Sequence, residues 1–430
     1  MHLLPRRPLV LLAATLLFVS ACGGGEQEVA ISSSSSSEAE THAGHVALAQ
    51  AAGEVSAEDL RITLERQLGQ HALLAVEAMR AGVAGADHFE AAGASLAQNT
   101  DDLTESIRLV YGDEGADTFN ELWSNHIDFF VQYTVGLAEG DQEAQDTAIE
   151  RLDQYRQDFG AFLEGATEGE LPQNAVADLL QMHVDQLVAQ IDAFAADDFS
   201  TAANQTREAY AHMFPTAQGL AGAIVATQDG FDGDLEGAAI DLRSGLGQLL
   251  GEHAQLAVQA MRSGVSGQDD FEALAGALDA NTQDLTAAIS GVFGEEGGQA
   301  FMQMWADHID FFVQYTVGLA EGDQEAQDAA LERLEQYRQD FSQFLDTASD
   351  GNIPADVVAE GLQVHVDQLV EQIDAFEAGE YDAAFSTSYE AYNHMYDTAE
   401  ALAGGIVAFM GEEMPAGGVE TGAGGSAHGG

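Results

Sequence analysis

Apolar residues recur along this chain with the spacing of amphipathic helices in two long stretches, from about residue 56 to 228 and from about 239 to 410. They fall three or four positions apart, which places them on one face of a helix. Breaks rich in glycine and acidic residues separate the periodic segments and carry helix-ending and helix-starting signals. The pattern in the first stretch predicts six helices, near residues 57–82, 87–110, 114–138, 141–164, 172–195 and 199–227. No segment has a convincing strand pattern, so we expect an all-α protein.

The second stretch is a copy of the first. The segment His126–Asp146 recurs without change as His308–Asp328, and equivalent positions differ by 182 residues along the chain. Short connections make neighbouring helices antiparallel. We therefore predict two tandem homologous six-helix bundles, each built of three αα-hairpins, with one domain over residues 57–228 and the other over residues 239–410.

The first 21 residues have the plan of a secretory signal peptide. The basic pair Arg6 and Arg7 precedes an apolar run, Leu9–Val19, that is too short to span a bilayer as a mature helix. The following Val19-Ser20-Ala21-Cys22 resembles a bacterial lipobox, in which the cysteine is lipidated and becomes the first mature residue. Cys22 is the single cysteine of the chain, which favours lipidation over an ordinary signal peptide with an incidental cysteine. We predict a lipid anchor at the extracytoplasmic face of a bacterial membrane, in the cell envelope.

The segments between and beyond the helical stretches differ in composition. Residues 22–56 are rich in glycine and serine and are expected to form a tether, and residues 411–430 form a Gly-rich tail expected to be disordered. Residues 229–238 are rich in glycine and aspartate and are expected to act as a linker. Nothing else in the chain approaches the run of about 20 apolar residues that a transmembrane helix needs.

The charge of the chain excludes several kinds of partner. The net charge is −60, and all 13 basic residues are arginine. Removal of the signal peptide takes away two arginines and no acid, which gives 11 − 73 = −62. Nucleic acids and anionic membrane surfaces are polyanions, so neither is an expected partner, and membrane contact is expected through the N-terminal lipid alone. An acidic surface without lysine is typical of proteins in saline or alkaline surroundings.

One histidine recurs in the apolar stripe of three helices in each copy. His71, His126 and His183 occupy these positions in the first copy, and their equivalents in the second are His253, His308 and His365. Helical spacing puts each ring among apolar side chains, so we expect it inside. A buried neutral imidazole needs a partner for its ring nitrogens, which is a carbonyl, a hydroxyl, a carboxylate or a metal. His88, by contrast, aligns with Asp270 and is expected at the surface.

A fourth histidine follows a glutamate by one helical turn. Glu208 precedes His212, and Glu390 precedes His394 in the second copy. This spacing puts carboxylate and imidazole on one helix face, where both can hold one ion. If each bundle closes, these pairs join the three recurring histidines in a ligand set for copper, zinc or iron. The alternative is a structural role, because an open stack of hairpins would keep the rings about 10 Å apart or more.

The sequence does not indicate an enzyme. It contains no nucleophile elbow, phosphate-binding glycine loop, haem-attachment motif or His-Glu-x-x-His zinc motif, and the absence of lysine excludes Schiff-base chemistry. Metal binding at one His-rich site per domain is the first functional hypothesis. The second is a structural or interaction module of the envelope that uses the duplicated surface Gly136–Asp146 and its copy Gly318–Asp328. The third is a small-molecule binder that uses a cavity left by the many glycines and alanines.

Three pieces of the chain carry a resemblance to known proteins: WSNHIDFFVQYTVGLAEGD, HVDQLVAQIDAF, and EAYAHM followed by GLAGAIV. They resemble a functionally uncharacterised family of exported bacterial helical-repeat proteins, some of which are labelled copper amine oxidase-like domain proteins. The resemblance covers both copies and implies the helical architecture and export. It implies no oxidase activity and supplies no catalytic residues, because nothing in the chain matches the tyrosine cofactor and histidine ligands of a true amine oxidase.

Overall fold

The computed structural model describes residues 55–411, which form ten helices and one pair of two-residue strands. The first copy supplies α1 (Ala57–Ala84), α2 (Phe89–Glu139), α3 (Gln142–Ala166), α4 (Gln173–Ala195) and α5 (Phe199–Thr227). The second copy supplies α6 (Ala238–Ser266), α7 (Phe271–Glu321), α8 (Gln324–Ala348), α9 (Ala355–Glu377) and α10 (Tyr381–Met410). The prediction of an all-α protein is confirmed.

The layout of two tandem six-helix bundles is not confirmed, because each copy contains five helices. The second and third predicted helices run together as α2 in the first copy and as α7 in the second. At the expected break, one residue leaves the helical conformation: Gly112, with φ 72°, and Gly294, with φ 75°. Glycine adopts this left-handed conformation at little cost because it has no Cβ. A single glycine therefore kinks the helix where the pattern predicts a loop.

The helix ends use the capping residues that the sequence provides. The Ser56 side chain accepts a hydrogen bond of 3.0 Å from the backbone N–H of Asp59 and begins α1. Asp141 accepts one of 3.1 Å from the N–H of Ala144 and begins α3. Gly140, just before it, closes α2 in a left-handed conformation with φ 70°. These caps satisfy backbone groups that have no partner inside the helix.

The predicted linker has more structure than expected. Its residues Phe231–Asp232 form strand β2, which pairs in parallel with strand β1, Val55–Ser56, at the end of the predicted tether. Arg61 of α1 also donates a hydrogen bond of 2.7 Å to the carbonyl of Leu235. The segment between the two copies is therefore fastened to the start of α1.

Helices α1 and α6 lie side by side where the two copies meet. Each packs against helices of its own copy and also against the other, which explains why α1 is buried along nearly its whole length. Arg61 pairs with Asp241 near the N-terminal ends of both helices, and Arg262 pairs with Glu77 towards their C-terminal ends. The two helices therefore run parallel.

Contacts between the copies are reciprocal. Arg61 of the first copy pairs with Asp241 of the second, and the equivalent Arg243 pairs with Asp59. Hydrogen bonds from two equivalent tyrosines repeat the exchange: Tyr210 donates to the carbonyl of Gln248 at 3.0 Å, and Tyr392 donates to that of Arg66 at 3.2 Å. Such mutual exchange is the signature of a two-fold axis. The copies thus associate as two subunits of a symmetric dimer do.

Two helical glycines permit this association. A Cβ on Gly69 would lie 2.8 Å from a ring carbon of Tyr210 and 2.9 Å from the hydroxyl of Tyr392. A Cβ on the equivalent Gly251 would lie 2.9 Å from each of the same two side chains. The tyrosine hydroxyls themselves are 3.3 Å apart. The absence of side chains at these two positions therefore makes room for the tyrosines of α5 and α10 that cross between the copies.

Several predictions concern residues that lie outside the described part of the chain. They are the signal peptide over residues 1–21, lipidation at Cys22, the tether before Val55 and the tail after Gly411. Within residues 55–411, no helix combines the length and the apolar character that crossing a bilayer requires.

Candidate metal centre

Three helices of the second copy bring His253, His308 and His365 together. They come from α6, α7 and α9, and their side chains are 1%, 2% and 4% exposed. One ring nitrogen from each lies within 4.8 Å of the other two. The ring centroids of His253 and His308 are 5.4 Å apart, and those of His253 and His365 are 6.0 Å apart. We call these three residues the second triad.

The first copy places His71, His126 and His183 in nearly the same arrangement, here called the first triad. The centroid of His71 is 5.3 Å from that of His126 and 6.1 Å from that of His183. The Nε2 atoms of His71 and His126 are 3.3 Å apart. The rings of each copy therefore meet at one level of the structure and are not spread along it.

These separations are close to those of a shared metal ion. With Zn–N bonds of about 2.0–2.1 Å, two nitrogens on a tetrahedral ion are about 3.3 Å apart. The Nε2 atoms of His71 and His126 have this spacing. The nitrogens of the second triad all lie within 4.8 Å of one another, which is compatible with three ligands converging on one ion.

Hydrogen bonding leaves several of these rings incompletely satisfied. Within the described residues, neither ring nitrogen of His253 has a hydrogen-bond partner. The Nδ1 atoms of His183 and His365 are also buried without one. A buried polar group left in this state costs roughly 1–3 kcal/mol. An ion bound by the triad would offset part of that cost.

Aromatic rings enclose the second triad. The indole of Trp305 lies 4.7 Å from the His253 ring and 4.6 Å from the His308 ring, measured between centroids. Tyr337 of α8 stacks on His308 at 4.7 Å with an angle of 14° between the planes. The group among residues 55–411 that could hold a metal ion consists of histidines without a carboxylate. The three rings therefore lie in an apolar enclosure and offer only neutral nitrogens to an ion.

Burial keeps the imidazoles in the neutral form. Loss of hydration, together with the smaller effect of a neighbouring histidine, lowers the pKa of His126, His183 and His308 to about 3. Burial also holds the pKa of His253 and His365 well below the ordinary value. At neutral pH the rings carry lone pairs and no proton charge, which is the state that binds a metal ion.

The Glu-x-x-x-His pairs do not join the triads as expected. His212 and His394 are half-buried, and their Nε2 atoms lie 3.1 Å from the carbonyl of Leu179 and 2.9 Å from that of Gly361. Each ring thus reaches across to the neighbouring helix, α4 or α9. They line the same cavities as two triad histidines of their copy, so they lie near the triads without belonging to them.

The two glutamates lie apart from the histidine group. Glu208 is exposed and accepts a hydrogen bond of 2.9 Å from the Gln205 side chain of its own helix. Glu390 is half-buried and is not in the group of three histidines found in the second copy. A spacing of four residues puts two side chains on one helix face, but it does not make both turn towards the same neighbour.

His88 is not the surface residue that its alignment with Asp270 predicts. Its ring packs among Phe376, Tyr381 and Phe385 of the second copy, with centroid distances of 5.1, 5.7 and 5.9 Å. The prediction was wrong because an aspartate at the equivalent position does not mark exposure here: Asp270 is itself 6% exposed and pairs with Arg80 of the first copy. Burial lowers the pKa of His88, although the ring lies away from both triads.

Sequence reasoning missed the aromatic enclosure of the triads. Trp123 and Trp305 precede a triad histidine by three residues, so the spacing places each on the histidine's helix face. That signal was present in the chain. Tyr155 and Tyr337 come from a different helix, and only their recurrence in both copies marks them.

Comparison of the chain with protein-family models, with curated proteins and with solved structures finds no match in any of the three. The function is therefore inferred from the geometry of the chain's own residues.

Proposed function

We propose that this protein binds one transition-metal ion at each triad, for storage, delivery or sensing and not for catalytic turnover. The observation that carries the proposal is the convergence of three buried, neutral imidazoles of the second triad, from three helices, within 4.8 Å of one another. Among residues 55–411 this is the one group that meets that limit, and the first triad is included because its rings have nearly the same arrangement. Three imidazoles form a ligand set for zinc, copper or iron. The ligands themselves include no acidic group and no nucleophile.

Charge favours monovalent copper among these ions. Three neutral ligands supply no negative charge, and a buried dication without a counter-charge is more costly than a monocation. The thioether of Met395 lines the cavity beside His308 and His365 and is itself buried. Imidazole and thioether are ligands that suit Cu(I). A zinc or ferrous ion at this site would need an anion from solution as a further ligand.

The metal content of the purified protein tests the proposal. We expect about two ions per chain in protein produced without a His-tag and loaded with Cu(I) or Zn²⁺. His308→Gln should bind one ion, and His126→Gln/His308→Gln none, because each substitution removes one ligand of one triad. Elemental analysis after gel filtration gives the stoichiometry. Spectra of a Co²⁺-substituted sample show whether the bound ion has nitrogen ligands in a tetrahedral field.

A matched control variant tests whether the loss of metal is specific to the triad histidines. His88→Gln removes a half-buried histidine that packs among aromatic rings and should leave the metal content unchanged. Less than one ion per chain in the wild type at micromolar free metal, or equal loss in the His88 variant, would contradict the proposal.

A structural role for the histidines is the second candidate, and one contact favours it. The 3.3 Å separation of the His71 and His126 Nε2 atoms also fits a hydrogen bond between two neutral rings. In that case the first triad stabilises its helices without an ion, and the protein is a scaffold or interaction module. His126→Gln would then lower the stability of the fold and leave its metal content unaltered.

We also propose that the protein is lipid-anchored outside the cytoplasm, on the strength of the signal-like segment and Cys22. Replacement Cys22→Ala should move the protein from the membrane fraction to the soluble or unprocessed fraction and should abolish incorporation of labelled fatty acid. Cell fractionation and palmitate labelling measure both effects. Unchanged membrane association of the variant would contradict the anchor and would leave the metal proposal untouched.

A further inference from the structure

An apolar cavity adjoins the second triad. It measures about 210 Å³ and lies between helices of the second copy. The imidazoles of His308 and His365 form part of its wall, and most of the remaining wall is apolar. Among the apolar residues are Leu250, Ile289, Phe301, Phe341 and Leu345. The exposed Val357 of α9 and Asp397 of α10 mark the side from which a molecule can enter.

The equivalent cavity of the first copy is smaller, at about 90 Å³. The difference is 120 Å³ (210 minus 90). One pair of equivalent wall positions differs strongly in size between the copies: Leu179 in the first cavity is replaced by Gly361 in the second. The Leu179 side chain is 36% exposed, so it lies at the opening of the first cavity, where the second copy has no side chain. Duplication of the chain has thus given two nearly equal arrangements of histidine rings and two adjoining cavities that differ.

The indole of Trp305 lies in the wall of the larger cavity together with Phe301 and Phe341. Aromatic side chains pack favourably against another aromatic ring. The apolar wall would cover most of the surface of a small ligand.

We propose that the cavity beside the second triad binds one small neutral aromatic molecule, and that Gly361 is the residue that permits this. An apolar cavity of about 150 Å³ is large enough to hold benzene. The second cavity exceeds that size and the first does not. The wall of the second cavity has no arginine to pair with an anion, and its one carboxylate lies at the exposed edge, so a neutral ligand is favoured.

The proposal does not rest on the metal-binding function. Binding in the cavity depends on the apolar wall and the space at Gly361, both of which exist without an ion. The two proposals are linked at His308 and His365, which line the cavity and belong to the second triad. The test below therefore uses protein from which metal has been removed with a chelator.

Titration with fluorinated probes followed by fluorine NMR tests the inference. We expect metal-free wild-type protein to bind one equivalent of 4-fluoroanisole with a dissociation constant of about 1 mM or tighter. Gly361→Leu should weaken binding at least tenfold by filling the cavity. This variant should fold, because a Cβ at position 361 meets only the Thr398 hydroxyl, at 4.0 Å, and leucine favours a helix more than glycine does.

Two further variants complete the design. Leu179→Gly should open the first cavity and raise the stoichiometry to two equivalents. Gly276→Leu, at an exposed helical glycine with open space around it, should bind as the wild type does. The absence of saturable binding by the wild type, or unchanged affinity in Gly361→Leu, would overturn the proposal.

Discussion

Replacing Arg262 by methionine is expected to destabilise the folded protein by about 3–5 kcal/mol, because it leaves a carboxylate buried without its cation. Arg262 is 5% exposed and forms an ion pair with Glu77, which is 7% exposed. Its guanidinium also donates hydrogen bonds to the Gln372 side chain at 3.1 Å and to the carbonyl of Ala384 at 3.0 Å. In the variant, Glu77 keeps a hydrogen bond of 2.9 Å from Gln255 and the electrostatic attraction of Arg80, and it loses its direct ion pair. Urea unfolding followed by circular dichroism measures the change.

Two controls identify the cause of the loss. Arg338→Met removes a partly exposed pair with Glu335 on one helix and should change stability by less than about 1 kcal/mol. The double variant Glu77→Gln/Arg262→Met should recover a large part of the stability, since it buries no unpaired charge. If the double variant is as unstable as Arg262→Met alone, the cost comes from lost packing and not from the carboxylate.

Acid is expected to destabilise the metal-free protein through the triad histidines as the pH falls from about 6.5 towards 3. The folded protein keeps His126 and His308 neutral, with the pKa lowered to about 3, whereas the unfolded chain binds a proton at each near pH 6.5. Between these values the unfolded state holds more protons, so the free energy of unfolding decreases with falling pH. Each such ring contributes a slope of about 1.4 kcal/mol per pH unit, and this contribution vanishes above about pH 6.5.

The comparison of variants isolates this effect from the many carboxylates. We expect the stability of His126→Gln to decrease less steeply than that of the wild type between pH 6 and 4, by about 1.4 kcal/mol per pH unit. The double variant His126→Gln/His308→Gln should show about twice that difference. Above pH 7 the curves should run parallel. Chemical unfolding at several pH values in the presence of a chelator gives the slopes, and equal slopes below pH 6 would show that the buried rings take up protons in the folded state.

The sequence predicted which face of each helix is buried and where several helices begin and end. Periodicity placed His71, His126 and His183 on apolar faces, and the structure finds all three rings buried. The capping role of Ser56 and the helix-ending role of Gly140 were also readable, because they depend on residues close in the chain. Local signals of this kind act over one or two helical turns, which is the distance over which sequence spacing fixes geometry.

The sequence did not predict how the histidines of different helices come together. The sequence left open whether the rings would meet, because their separation depends on how helices distant in the chain pack. It also favoured Glu208 as a ligand, and the structure leaves that carboxylate exposed beside Gln205. His88 was placed at the surface and instead contacts Phe376 of the other copy. A helical pattern tells which face is covered and does not tell what covers it.

By itself, the sequence determined an all-α chain with two copies of one helical module and a histidine inside each of three helices per copy. The helices and the histidines on their buried faces follow from local spacing, and the two copies follow from the offset of 182 residues. Only the tertiary structure decided that three rings of the second copy converge within 4.8 Å and that α1 and α6 run parallel. It also decided that tyrosines of α5 and α10 pack over Gly69 and Gly251, and that the cavities differ at Leu179 and Gly361. The physical reason is that these features are distances between helices, set by the close packing of side chains from remote parts of the chain.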